Sequence, residues 1–360
     1  MRPLSIHLLA FMLLLLLPAL AAAFEPARIV VVPDPVSATQ LRLEVSGIWP
    51  DTCTPQLASV SSQGRDVRLL AVRESAGCRS TPTPYAFSTE AFEPQQLLPG
   101  EGIHRVRLLI EDADGSSGRL AGFALLQDGT QTAATLETGF WWAEQGGEFD
   151  GGPGLGLSVE TQAGLISLSA MGYDAEGRSA WYFGAGELHD GIARLELGQF
   201  EGGAGPFSGY AAPESIRFSG WVDVEVQSPS RAVLWFSRVD AGGTALELKP
   251  LSITRFSFAQ NPGEALLGRW LVAGSQASER DSRWLHFSRS EEFEGGFVLH
   301  EADGQARLQC DLPGGLSAAT PSICRLELDD GDAIEFSEIG LRRLAGWDAE
   351  LRRTVAFRLD

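Results

Sequence analysis

The chain has 360 residues, 44% of them hydrophobic and 21% charged, with 47 acidic against 28 basic side chains and a formal net charge of −19. That balance is globular rather than disordered, and the length exceeds what one hydrophobic core usually organises. The acidity argues against nucleic-acid and anionic-membrane partners, which need a clustered positive face, and the single lysine, Lys249, sits in none of the settings that Schiff-base, Ser-Lys or phosphate-loop chemistry requires.

Residues 1–23 read as a secretory signal peptide. A short basic start (Met1-Arg2-Pro3) leads into an apolar run from Leu4 to Leu17 and a small-x-small end at Ala21 and Ala23, which places the cut after Ala23. The run is short of the roughly 20 residues a membrane span needs, and no later stretch supplies one. Export changes how the four cysteines read. In an oxidising compartment Cys53 with Cys78, and Cys310 with Cys324, are expected as two disulfides, because the Cys-x2-Cys or His spacing of a zinc site is missing.

From residue 27 onward the apolar period is two. Leu41, Leu43, Val45, Gly47 and Trp49 alternate with Arg42, Glu44, Ser46 and Ile48. Further on, Ile216, Phe218, Gly220, Val222, Val224 and Val226 alternate with Arg217, Ser219, Trp221, Asp223 and Glu225. Such runs are half-buried strands, and Asp-Gly or Glu-Gly pairs at 114–115, 176–177, 190–191, 303–304 and 330–331 supply the turns. Only Glu338 to Leu351 has helical character. The polar stretches 127–135 and 259–264 divide the chain into three β segments. Residues 24–126 carry about seven strands and suit an immunoglobulin-like sandwich, with the Cys53–Cys78 bridge stapling a loop. Residues 127–258 carry eight strands on short connections, a Trp-rich barrel or sandwich. Residues 259–360 carry about six, a smaller disulfide-bearing β domain. Acidity concentrates in the second and third segments. Phe-x-Gly-Gly recurs at 149–152, 200–203 and 293–296, but unequal spacing argues against a repeat.

The middle segment opens with Gly139-Phe140-Trp141-Trp142, continues through Asp174-Ala175-Glu176-Gly177-Arg178 and Trp181-Tyr182, and closes on Ser252-Ile253-Thr254-Arg255. Over roughly 138–258 it resembles a module of uncharacterised secreted proteobacterial proteins. That module has a Gly-aromatic-Trp-Trp opening, an Asp-Ala-x-Gly-Arg hairpin and an Ile-Thr-Arg close. The run from Leu41 to Cys53 resembles the immunoglobulin-like domain often found ahead of it. The resemblance implies architecture and secretion from a Gram-negative cell, and no activity. One departure is Ala143-Glu-Gln-Gly-Gly147, where Asn-Pro-Ala-Glu-Ser tends to follow the Trp pair.

Motifs for chemistry are few. Neither a Gly-x-Ser-x-Gly elbow nor His-Glu-x-x-His occurs, so no catalytic residue, metal site or cofactor is assigned. Asp329-Asp-Gly-Asp332 and Glu111-Asp-Ala-Asp-Gly115 read as turns before they read as calcium loops. The Gly152-Pro-Gly-Leu-Gly156 run leads into a strand, which rules out a dinucleotide loop. The aromatics carry more. Trp141 and Trp142 are adjacent and so point to opposite faces, and Trp181 and Phe183 oppose Tyr182. Trp221 shares a face with Arg217, Asp223 and Glu225, and Trp235 with Val233 opposes Ala232, Leu234 and Phe236. Such tryptophans either pack under loops or at a domain interface or form a platform suited to a sugar ring or small apolar ligand. These observations lead to an expectation of a secreted or periplasmic, non-catalytic binding protein that meets a glycan, peptide or protein through Trp142, Trp181, Trp221 and Trp235. The alternatives are an extracellular hydrolase using a carboxylate pair, and a structural envelope component with no small ligand.

Overall fold

The computed structural model describes residues 24–359 apart from 38, 100–101, 116–117, 128–133, 145–148, 152–153, 175, 206, 260, 275–281 and 313–319. The expected signal peptide, most of the polar stretch 127–135 and the departing loop at 145–147 lie outside the described residues. The chain is nearly all β, as the period-two patterning requires. It divides into two compact units, one built on the N-terminal strands and one holding the strands that follow, apart from Val239–Glu247, which group with the first.

The first unit has seven strands: β1 (Arg28–Pro33), β2 (Leu41–Trp49), β3 (Gln56–Gln63), β4 (Asp66–Arg73), β5 (Thr83–Ser88), β6 (Ile103–Asp112) and β7 (Arg119–Gln127). They form a three-stranded sheet, β1-β2-β5, and a four-stranded one, β3-β4-β6-β7, in which β4 and β6 run parallel. Leu43, Val45, Leu69, Leu108, Ile110 and Phe123 are buried. A single helical turn, α1 (Pro94–Leu97), precedes β6. The Cys53–Cys78 bridge joins the loop before β3 to the loop after β4, a staple between connections as expected.

The second unit contains two closed eight-stranded antiparallel barrels in series. The first consists of β8 (Gly139–Ala143), β9 (Gly156–Gln162), β10 (Leu165–Tyr173), β11 (Ser179–His189), β12 (Ile192–Gly202), β13 (Pro213–Ser228), β14 (Arg231–Val239) and β15 (Leu246–Arg255). The sequence places these strands at 139–143, 155–161, 164–173, 179–187, 192–198, 216–226, 231–238 and 245–256, within four residues of the observed ends, and closure resolves the choice between barrel and sandwich. The second barrel consists of β16 (Gly268–Gly274), β17 (Arg283–Phe293), β18 (Gly296–Glu301), β19 (Ala306–Asp311), β20 (Ile323–Leu328), β21 (Ala333–Ile339), β22 (Arg343–Asp348) and β23 (Arg353–Arg358). It has eight strands where the sequence suggests six. The stretch Glu338 to Leu351 is strand and turn, not helix. Gly346 explains why: a Cβ there would lie 1.8 Å from the Glu335 carbonyl oxygen on the paired strand, so this backbone is committed to close β contact.

Both barrels close on one seam. Trp141 on β8 is fully buried and donates its indole N–H to the Glu137 carbonyl at 3.1 Å; Trp270 on β16 does the same to Leu266 at 2.9 Å. Arg255 ends β15 and donates to the Phe140 carbonyl at 2.8 Å, and Arg358 ends β23 and donates to the Ala265 carbonyl. The next residue docks on the first strand in each case, Phe256 N–H on Phe140 O and Leu359 N–H on Arg269 O, both at 2.9 Å. Gly139 belongs to this seam: its φ is +136°, and a Cβ would sit 2.2 Å from the Arg255 guanidinium. The Gly-Phe-Trp-Trp opening and the Ile-Thr-Arg close are therefore two halves of one closure.

A second shared device caps the hairpins. Asp174 accepts the N–H groups of Glu176 and Arg178, and between β18 and β19 Glu301 accepts those of Asp303 and Gln305. Between the last two strands, Asp240 accepts from Thr244 and Ala245 in the first barrel, and Asp348 from Glu350 and Arg352 in the second. The Phe-x-Gly-Gly triplets fall at unrelated places, but the barrels do repeat each other, with spacing that contracts from first strand to last. The barrels are joined at Glu137, whose carboxylate accepts the N–H groups of Leu341 (2.9 Å) and Arg342 (2.8 Å), and at Ser230, whose hydroxyl donates to the Ile339 carbonyl.

Candidate functional site

The interiors are not ligand cavities. Leu157, Ile166, Leu168, Leu195, Val222 and Val224 fill the first, and Phe297, Leu299, Leu308, Phe336 and the Cys310–Cys324 bridge fill the second. Eight strands leave a lumen just wide enough for side chains, so a site must lie outside.

With those residues inward, alternation sends the opposite set outward. Strand register then assembles two outward rows across six strands of the first barrel. One runs Trp142, Gly156, Met171, Trp181, Phe200, Ile216, with Trp181 and Phe200 stacked at 5.0 Å between ring centroids. The second runs Phe140, Ser158, Ser169, Phe183, Gly198, Phe218. Not one of these twelve positions carries a charge. Trp181 is 47% exposed and Phe183 36%, and Met171, Ile216 and Phe218 also stand open to solvent. Charges begin in the next two rows, with Glu160, Glu187, Arg194 and Glu196 exposed on the same strands. At one edge of the band an open groove of about 400 Å³ runs along β10 and β11, lined by Gly154, Met171, Gly172, Tyr173, Ser179, Ala180 and Trp181.

The corresponding strands of the second barrel, β17 to β20, face outward with ion pairs, Arg307–Glu327 at 2.6 Å, Arg289–Glu291 at 3.4 Å and Arg325–Glu327 at 3.6 Å, and with the His300 ring 3.3 Å from the Glu291 carboxylate. The Arg307 guanidinium holds the Glu327 carboxyl below its ordinary range. A smaller apolar row, with Trp284 and Phe357 exposed and Leu271 half-buried between them, crosses β17, β16 and β23 and ends at Arg343.

The four tryptophans singled out in the sequence fare differently. Trp181 is central and exposed. Trp142 is half-buried at the end of the first row, in contact with Phe140 and Phe256. Trp221 lies one step beyond the band, half-buried, with Phe218 at 4.8 Å and the Arg194 guanidinium 5.4 Å from its centroid. Trp235 faces outward yet is 0% exposed: Phe149 packs on it at 5.1 Å, and its indole N–H donates to Glu225 at 2.9 Å. It lies on β14, outside the six band strands, and is closed off from solvent. Sequence reading does not place Met171, Tyr173, Phe183, Phe200 and Phe218 in one surface, because their adjacency comes from register between distant strands.

Beside Trp235 lies a buried carboxyl. Asp223 is 3% exposed, opposite Trp235 and Arg194, and burial pushes its pKa up to about 6 against the pull of the Arg194 guanidinium 3.5 Å away. Neither it nor the fully buried Glu225 is placed to meet a substrate. The acidic run at 329–332 forms a hairpin turn, in which Arg283 pairs with Asp330. Asp51, Cys53 and Cys78 cluster at metal-ligand distances, but both sulfurs are committed to the bridge and the Asp51 carboxylate is engaged by the Cys53 N–H and Arg73. The fold is all-β with two disulfides, as an oxidising compartment permits. No protein-family model matches the chain, and no curated protein matches it.

Proposed function

We propose that this is an exported, non-catalytic binding protein whose working surface is the uncharged aromatic band of the first barrel, with Trp181 at its centre and Trp142 and Trp221 at its margins. The carrying observation is the contrast between two copies of one scaffold. Two adjoining uncharged rows cross six strands of the first barrel, whereas the second barrel's exposed apolar row is shorter, at Trp284, Leu271 and Phe357, and β19 and β20 present ion pairs. Exposed contiguous apolar surface of this kind marks an interaction site. Export, by cleavage after Ala23 into the periplasm or beyond, is supported by the two disulfides and by the resemblance to secreted proteobacterial modules, in which the N-terminal strands would form the immunoglobulin-like domain. The motif that carries that resemblance builds the closing seam and one capped hairpin, so it supports architecture rather than activity.

The test is intrinsic tryptophan fluorescence of the purified protein titrated with saccharides, peptides and small apolar ligands, in the wild type and in Trp181→Ala. A saturable shift in the wild type that disappears in the variant, at unchanged melting temperature, is the expected result. Silence across the panel, or a response indifferent to Trp181, overturns the reading.

A further inference from the structure

We infer that the groove between Tyr173 and Trp181 takes a neutral oligosaccharide; the inference rests on the binding reading above and narrows it to a ligand class. Charge complementarity carries the argument. The chain is strongly acidic, yet every residue lining the groove and every position of the two rows beside it is uncharged. A polyanion would be repelled by the protein's net charge and would find no cation in the groove. A cationic partner would find no carboxylate there, although carboxylates are abundant elsewhere on the barrel.

What the groove offers is ring faces and hydroxyls. Tyr173 is 66% exposed and Trp181 nearly half. They stand on adjacent strands at diagonal positions, because Tyr173 pairs with Ser179 and Met171 with Trp181. Diagonal neighbours lie roughly 7–8 Å apart, which sets two ring surfaces along one path. Between them the Ser179 hydroxyl and the Tyr173 phenol can both donate and accept hydrogen bonds. An uncharged, polyhydroxylated ring with an apolar C–H face matches both features at once. The groove is open to water along its length, which suits a chain running through it better than a buried acyl tail. A lipid surface is disfavoured by the capped hairpin at the groove's end, where Asp174, Glu176 and Arg178 form an exposed ion-paired cluster.

The deciding experiment is isothermal titration calorimetry of the whole protein with maltohexaose, cellohexaose and chitohexaose. Polygalacturonate serves as the anionic counterpart, and an uncharged aromatic-rich peptide as the competing class. Trp181→Ala and Tyr173→Ala are the site variants, and Trp284→Ala on the second barrel is the control. The expected result is saturable binding of at least one neutral hexasaccharide, weakened about tenfold by either site variant, untouched by Trp284→Ala, and no heat from polygalacturonate. Binding of the peptide through Trp181 with no saccharide response overturns the saccharide inference and leaves the aromatic surface standing. If no probe depends on Trp181, both readings fail.

Discussion

The two barrels close with the same parts, although the closing arginine reaches Phe140 on the first strand in one and Ala265 ahead of it in the other, and they differ more in what they show to solvent. Each buries a first-strand tryptophan on a carbonyl four residues earlier, locks its last strand with an arginine, and caps the same two hairpins with an acidic side chain. The first barrel nevertheless carries a six-strand uncharged aromatic band, while the second carries ion pairs on β19 and β20 and only a shorter apolar row through Trp284, Leu271 and Phe357. A scaffold that is stable with Arg307 and Glu327 outward does not need Trp181 and Phe183 there. The second barrel thus serves as an internal control, separating residues the fold demands from residues it merely tolerates. Their interiors differ too: the second barrel is cross-linked at Cys310–Cys324, and the first is not.

The largest expected effect tests the shared seam. Trp141→Ala and Trp270→Ala should each cost about 3–5 kcal/mol, as deletion of a buried aromatic does, measured by urea denaturation. A silent substitution in one barrel would end the claim that the two closures are equivalent. Reduction is the next largest. Opening the Cys310–Cys324 loop should destabilise the second barrel by about 3 kcal/mol on a loop-entropy basis, so dithiothreitol should weaken the second-barrel Trp270 environment before that of Trp141. Equal loss in both would contradict the assignment.

The buried carboxyl sharpens the difference from the other side. Asp223 titrates near pH 6 in the folded barrel against an ordinary 3.8, so the folded state holds its proton across that window. Its contribution is therefore most favourable below about pH 4 and is lost as the pH rises through about 6, by up to about 3 kcal/mol. Asp223→Asn should raise the melting temperature at pH 8 and leave it nearly unchanged at pH 4; the same gain at both values would rule out a titrating carboxyl. The smallest effect concerns the caps. Asp174→Ala and Asp348→Ala should lower the two melting temperatures slightly and by similar amounts, and a marked inequality would show that the two hairpins are not held alike.

Much of this was legible in the sequence, and the rest was hidden for identifiable reasons. Val222, Val224 and Val226 alternating with Trp221, Asp223 and Glu225 revealed a strand and its inward face. The same logic placed Trp181 and Phe183 together on the outward face, opposite Tyr182. Alternation says which face a residue takes, but not what covers that face. Trp235 therefore read as a surface residue, though Phe149, more than 80 positions earlier in the chain, packs over it. The band itself was invisible, since joining Met171 to Trp181, Phe200 and Ile216 requires strand register. The kinship of the barrels shows only as a weak echo in the sequence because their hairpins differ in length, so equivalent residues such as Trp141 and Trp270, or Arg255 and Arg358, keep no constant separation.

The most direct measurement is a saccharide titration followed by tryptophan fluorescence, run in parallel on Trp181→Ala and Trp284→Ala. Loss of the response in the first variant with full retention in the second is the predicted result. Loss in both, or in neither, would contradict the claim that the aromatic surface of the first barrel is where this protein works.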